Sequence, residues 1–305
     1  MTTDQVQFLS HLEQLLAQLT SANPDSARIR TATTTLKAQF FCKPACVPAL
    51  VELLQNSRDA QVRQLAAVEL RKRVATFWSQ VDEASREQIK RALLQCILQE
   101  PENLVRHSTA RVISTIAKTE VPAQRWNDLV QFLHSCCQAP TAGHREVGYY
   151  VLFTLFDVVG NTFAEHAHDL LGLFARGLHD PESKEVRVTT LQALGRLSDY
   201  IEPENKRDVA AFRELVPAMV SVMQQCLNEN DEESADLGFE VFDSLLQNVG
   251  FRNTFWKCGE CFVGPSDMVV WPIPLRFPGG SVPFQVHRRD CRFLPVDRGE
   301  YARRR

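Results

Sequence analysis

The sequence predicts an all-α protein, a right-handed superhelical solenoid of about six helical hairpins followed by an irregular tail that does not repeat. Three observations predict it. Val62-Arg63, Val105-Arg106 and Val186-Arg187 each open an amphipathic stretch after a polar turn, at spacings of 43 and 81 residues, the second close to twice the first. Apolar residues within these stretches recur at i, i+3, i+4 and i+7, the period of a helix with one buried face. Beyond residue 250 the period stops and prolines crowd in.

The hairpins are expected at about 4 to 40, 45 to 76, 85 to 119, 124 to 160, 163 to 201 and 210 to 249. Five units open with a first helix: VPALVELLQ, REQIKRALLQCIL, WNDLVQFLHSCC, HAHDLLGLFARGL and FRELVPAMVSVMQQCL. The second helices carry the repeating pair. A beat missing between Arg106 and Arg187 falls at His144-Arg145-Glu146-Val147, and a weaker copy has Asp236-Leu237 in its place. Pro101, Pro140 and Pro181 lie where paired helices turn, while Pro48 and Pro217 are placed near the start of a first helix, where proline is tolerated. A unit of about 40 to 47 residues is the length of a HEAT repeat. No such hairpin buries its apolar face alone, so the units must stack, with second helices lining a concave surface. The last hairpin is then expected to leave Phe239, Phe242 and Leu245 uncovered.

An arginine at the same point of successive second helices can bridge to acidic or amide groups of the preceding turn or the next repeat. Arg63, Arg106 and Arg187 are therefore assigned to a structural ladder.

The whole chain has 305 residues, 44% hydrophobic and 23% charged, with a formal net charge of −3. That mild figure averages two unlike segments. Residues 1–250 hold 24 basic and 32 acidic residues, a balance of −8, and residues 251–305 hold ten basic and five acidic, a balance of +5. No stretch approaches the roughly 20 apolar residues of a membrane span, and the N-terminus lacks a basic, cleavable leader. Nine cysteines, an odd number spread through the chain, fit a reducing compartment. No P-loop, GxGxxG, GxSxG or HExxH is present, so neither an enzyme nor a cofactor is expected. His166 and His168 lie two apart on a predicted helix and face different ways, so they cannot share an ion.

Ala32, Leu36 and Phe40, the block Val62-Arg63-Gln64-Leu65-Ala66-Ala67-Val68-Glu69-Leu70-Arg71-Lys72, and Trp78 stand in a specific order. Across roughly residues 26–95 they resemble the N-terminal domain of the importin-beta (karyopherin-beta) family of nuclear transport receptors. The segment PENLVRHSTARVISTI, from Pro101, resembles the branch that carries ribosomal proteins and histones, the importin-four type in animals and its fungal counterpart. The resemblance implies a receptor, here an N-terminal fragment or truncated form, that binds Ran in its GTP form and releases cargo. It also implies contact with phenylalanine-glycine nucleoporins and a place in cytoplasm, nucleus and nuclear pore. In the family the Ran contact lies on second helices of the first few repeats, so Arg71, Lys72 and Arg111 are the candidates here.

Independently, an acidic array attracts basic ligands over a Debye length of about 8 to 10 Å and disfavours nucleic acid. Basic nuclear localisation segments, ribosomal proteins and histones match, and the turn Asn228-Glu229-Asn230-Asp231-Glu232-Glu233 is a candidate contact. The alternative is a general HEAT-repeat scaffold without Ran dependence.

The basic, Pro/Gly-rich tail, residues 251–305, is expected to be disordered or foreign to the family. Cys258, Cys261, His287 and Cys291 offer the donor set of a tetrahedral zinc. The 25 residues between the two pairs exceed the usual spacing, so the favoured reading is no metal.

Overall fold

The computed structural model describes residues 3–21, 25–163, 166–202 and 204–247, together with 262–263, 268–277, 280–287 and 293–295. The chain divides into two compact units, Met1–Thr162 and Phe163–Arg305. Both contain antiparallel helix pairs, and the second also contains a small sheet.

The first unit contains four pairs. The first is α1 (Thr3–Thr20) with α2 (Ser26–Thr35), which a π-helical turn, Leu36–Phe40, continues. The second is α3 (Cys46–Asn56) with α4 (Ala60–Phe77), closed by a 3-10 turn, Trp78–Gln80. The third joins α5 (Glu83–Gln99) to α6 (Asn103–Glu120). The fourth joins α7 (Asp128–Cys137) to α8 (Ala142–Phe163), which is kinked at Val159, next to Gly160. In the second unit α9 (Ala167–Leu178) pairs with α10 (Lys184–Ser198), and α11 (Lys206–Asn228) with α12 (Glu232–Gln247). Six hairpins are therefore present at the expected positions.

Local chemistry explains where the helices start. Asp59 accepts a hydrogen bond from the Gln61 amide at 2.8 Å ahead of α4, and Asp82 one from Ser85 at 2.9 Å ahead of α5. Ser183 and Asn205 cap α10 and α11 in the same way. Each side chain satisfies an amide the helix cannot, worth about 1 kcal/mol.

Stacking follows from the apolar period. First helices pack on first helices and second on second, α3 on α5 and α4 on α6, and likewise α9 on α11 and α10 on α12. Leu50, Leu54, Leu70, Leu93 and Ile113 are fully or almost fully buried between the layers, each contributing about 1.5 to 3 kcal/mol of transfer free energy. The second helices approach closely because small residues lie at their contacts. Ala66 and Ala67 of α4 are fully buried; within the fourth hairpin, a Cβ on Gly148 of α8 would lie 2.7 Å from Cys137 Sγ of the first helix α7.

Three details differ from the sequence reading. Pro217 is inside α11 and not near its start, because the helix begins at Lys206. Phe242 is buried and Phe239 half-buried, since the inner face of α12 packs against α10 and α11, with Val241 against Gly195 and Gly238 against Met223. The side chain of Leu245 lies outside the described residues. Beyond the helices, β1 (Phe262–Val263), β2 (Met268–Phe277), β3 (Gly280–His287) and β4 (Phe293–Pro295) pair in that order as an antiparallel sheet, a regularity that an irregular tail did not anticipate. Pro272 and Pro274 fall where the β2–β3 register shifts, between Trp271 and Leu275, because proline gives no ladder donor. Cys258, Cys261 and Cys291 lie outside the described residues, as does the side chain of His287. Among the described residues no three His, Cys, Asp or Glu side chains gather as metal ligands, and no helix is long and apolar enough to cross a membrane.

Candidate functional site

The repeating arginines occupy equivalent places at the hairpin turns. Arg63 donates through Nη1 to the Ser57 carbonyl at 3.0 Å and the Arg58 carbonyl at 3.3 Å. Arg106 does the same to Glu100 and Pro101 at 3.0 and 2.8 Å, and Arg145 to Ala139 and Pro140 at 3.0 and 2.8 Å. Arg187 donates to the Asp180 carbonyl. Carbonyls left open at the ends of α3, α5, α7 and α9 thus receive a cation from the second helix. Arg145 supplies the beat missing from the Val-Arg series.

Three of these turns are also joined to one another. Arg63 grips the Glu100 carboxylate of the next hairpin through Nε and Nη2, both at 2.8 Å, and the Glu102 amide adds a third bond to Glu100 at 3.0 Å. Burial raises the Glu100 pKa, but the Arg63 guanidinium and Glu102 amide outweigh it and hold the carboxyl below its ordinary value. Arg106 reaches Glu146 of the fourth hairpin at 3.7 Å, and His107 Nε2 meets the same carboxylate at 2.9 Å while stacking on Tyr150. In the second unit Lys184 takes the corresponding position. It pairs with Asp231 at 2.7 Å and Glu229 at 3.0 Å, and its hydrogen bonds hold the Asp231 carboxyl down at about 2. Two acids of the turn offered as a cargo contact are therefore engaged within the fold.

At the opposite end of the hairpins lies a buried polar cluster. The Glu120 carboxylate accepts the Trp78 indole Nε1 at 2.9 Å and Arg125 Nη2 at 3.0 Å, with Lys90 Nζ 3.7 Å away. Lys90, almost fully buried, donates to the Arg125 carbonyl, pairs with Glu87 and lies over the Trp126 ring. Burial raises the Glu120 pKa, yet its bonds to Arg125 and Trp78 bring it below the ordinary value.

Between these ends, α4 and α6 present their solvent faces side by side. The exposed charges on them are four cations, Arg71, Lys72, Arg111 and Lys118, while Glu69 is half-buried and Glu120 buried. This differs from the acidic second-helix surface inferred from the −8 balance, because a charge averaged over 250 residues does not say which face holds it. Arg71 is exposed and makes no hydrogen bond or ion pair with described residues. Lys72 is exposed and bonds Glu69 at 2.6 Å, and Arg111 donates to the Tyr150 hydroxyl at 3.3 Å. A groove of about 220 Å³ opens one turn further along both helices, lined by Val74, Ala75 and Thr76 of α4 and Thr115 and Thr119 of α6.

This geometry coincides with what the chain is similar to. The family model of the importin-beta N-terminal domain matches residues 32–99, and that of IPO5-like TPR repeats matches residues 101–249. The chain belongs to the importin-beta family. It is 35% identical over 240 residues to the probable importin subunit beta-4 of Schizosaccharomyces pombe, covering 79% of this chain and 22% of that relative. It is 33% identical over 237 residues to Homo sapiens importin-4, covering 78% of this chain and 21% of that one. The chain thus spans little more than a fifth of the length of these relatives. Its fold is that of the karyopherin Kap121p, with a TM-score of 0.66 at 20% identity over 84% of this chain and 24% of the other. A structure of Kap121p bound to RanGTP superposes with a TM-score of 0.62 at 22% identity, covering the same shares, 84% and 24%. The importin-beta N-terminal domain therefore contains Arg63, Arg71, Lys72 and Trp78 and ends beside Glu100.

Sequence reasoning missed the partners. Glu100 is 37 residues from Arg63 and Glu120 is 42 from Trp78. The repeat length itself was the available signal, since a separation near one period aligns equivalent levels of neighbouring hairpins.

Proposed function

We propose that this chain acts as the N-terminal part of a nuclear import receptor, whose α4–α6 face binds Ran in its GTP form. The observation that carries this reading is the paired basic face of α4 and α6, four exposed cations, Arg71, Lys72, Arg111 and Lys118, with no exposed acid, within and just beyond the importin-beta N-terminal domain. The RanGTP complex of Kap121p, a protein of the same fold, supports it. Arg71, unpartnered among the described residues, is the first contact, with Lys72 and Arg111 beside it after they exchange Glu69 and Tyr150 for the GTPase. Of the arginine ladder, Arg63 and Arg106 hold these helices at fixed levels, and Arg187 does the same for α10 in the second unit. Residues 1–250 act as the receptor array, and residues 251–305 lie outside that role.

Basic cargo such as ribosomal proteins or histones belongs on α12, which has five acidic residues and no basic one. Phenylalanine-glycine nucleoporins complete the set of partners, and the protein shuttles between cytoplasm and nucleus through the pore. A pull-down with Ran loaded with GTP or GDP tests the reading. GTP-loaded Ran is retained preferentially, and Arg71→Glu with Lys72→Glu lowers retention about tenfold or more, by charge reversal in a face where each contact is worth about 1 kcal/mol or more. Equal retention of both nucleotide forms overturns Ran dependence and favours the scaffold reading.

A further inference from the structure

The groove between the C-terminal halves of α4 and α6 has a lining of unusual chemistry. Its floor is Val74 and the buried Trp78, its walls are Ala75, Thr76, Thr115 and Thr119, and its rim is Ser79, Arg86 and Arg125. None of these residues is acidic. Arg86 commits Nε to the Val81 carbonyl at 2.7 Å and Nη2 to the Ser79 carbonyl at 3.2 Å. Arg125 commits the same two nitrogens to Glu120, at 3.3 and 3.0 Å. Each guanidinium is held rigidly by one edge, and in each the Nη1 group has no partner among the described residues. The hydroxyls of Thr119 and Ser79 have none either. Beneath the floor Glu120 faces Lys90 and Arg125, and Glu87 faces Lys90, so these acids are already engaged, while Glu83 and Asp82 lie within electrostatic reach of Arg125 and Arg86 and Asp82 is bonded to Ser85.

The groove lining therefore offers fixed donors to whatever enters it, and none of its own residues is a charged acceptor. At about 220 Å³ it holds several times the roughly 30 Å³ of a water molecule. Lys72, one turn before Ala75 and Thr76, and Arg111, one turn before Thr115, stand on the approach. Preorganised guanidinium donors with cations around them select an oxyanion over a cation or a neutral amide.

We propose that this groove takes a carboxylate side chain from an acidic segment of a partner protein, with Arg86 and Arg125 donating through Nη1 and Thr119 through its hydroxyl. The proposal deepens the Ran reading by naming the chemistry of the group that a partner on this face inserts, and it is tested without the GTPase.

The probe is a fluorescein-labelled hexaglutamate peptide, titrated onto the full chain by fluorescence anisotropy, with hexalysine and a phosphoserine peptide of otherwise neutral sequence as comparison arms. Hexaglutamate binds, hexalysine does not, and the phosphoserine peptide binds more weakly. Thr119→Glu places the protein's own carboxylate in the groove and weakens hexaglutamate binding about tenfold, the value of one charge-assisted hydrogen bond. Gln61→Glu changes the charge equally at the far end of α4, outside the groove, and leaves binding within about twofold. Ala75→Glu, on the opposite exposed wall, repeats the block should Thr119→Glu fail to fold. Equal weakening by Gln61→Glu and the groove variants means diffuse attraction and overturns the proposal. So does binding of the phosphoserine peptide alone, or no binding of hexaglutamate. Loss of Ran preference with peptide binding intact separates failure of the Ran reading from failure of this one.

Discussion

Removing the Glu100 carboxylate strands Arg63. In the native chain Glu100 accepts three hydrogen bonds, two from Arg63 at 2.8 Å and one from the Glu102 amide at 3.0 Å, with side-chain exposures of 13% for Arg63 and 3% for Glu100. Breaking a buried pair from one side costs about 3 to 5 kcal/mol, because the surviving charge keeps its desolvation penalty and loses its attraction. Arg63 retains the Ser57 and Arg58 carbonyls, which places Glu100→Ala at the low end, about 3 kcal/mol. For a unit of this size that lowers Tm by about 6 to 12 °C. Urea unfolding of wild type, Glu100→Ala, Arg63→Ala and the double variant supplies the cycle, and the double variant is less than additive by at least about 1 kcal/mol. A loss below about 1 kcal/mol for Glu100→Ala, or strict additivity, refutes the argument. The pH dependence has a definite sign. The folded carboxyl titrates below its ordinary value of 4.5, so its contribution is complete above that pH and is lost as pH falls through the depressed value. Arg63→Ala flattens this acid limb.

Three further outcomes follow from packing and burial. Glu120→Gln keeps the shape of the side chain but removes the charge that Arg125 and Lys90 share, leaving the buried Lys90 with Glu87 alone; urea unfolding shows a loss of about 1.5 to 3 kcal/mol, and a loss under about 0.5 kcal/mol contradicts the cluster's energetics. Burial pushes the thiols of Cys46 and Cys96 up to about 11 and that of Cys136 to about 12, so iodoacetamide at pH 8 with peptide mapping labels the exposed Cys42 well before these three. Gly148→Ala puts a Cβ 2.7 Å from Cys137 Sγ and 2.9 Å from the Cys137 backbone nitrogen, where backbone cannot yield cheaply; thermal unfolding registers about 1 to 3 kcal/mol of destabilisation.

The hairpins were legible in the sequence because three independent signals agreed: the helical apolar period, prolines at the turns, and the Val-Arg pair that recurs at the start of the second run. The arginines were legible as a ladder through their spacing, but not their acceptors, since most are backbone carbonyls, which carry no residue identity. Glu100 and Glu120 were hidden for another reason. Their role depends on which levels of two stacked hairpins meet, and a one-turn slip would have chosen other residues. Helix α11 begins earlier than its apolar run, at the polar cap Asn205, and so Pro217 came to lie inside it. The strands of the tail escaped notice because four of its prolines lie within them.

The turn arginines have a consequence for how the chain is made. Each reaches back only five to seven residues to its carbonyls, so a hairpin can close its own turn while the next is still inside the ribosome. The bond from Arg63 to Glu100 forms only when the following hairpin has emerged. Synthesis at about 5 to 20 residues per second gives each unit seconds to settle before its neighbour arrives. Local closure first and stitching second is an order of assembly in which every finished hairpin is a template for the one behind it.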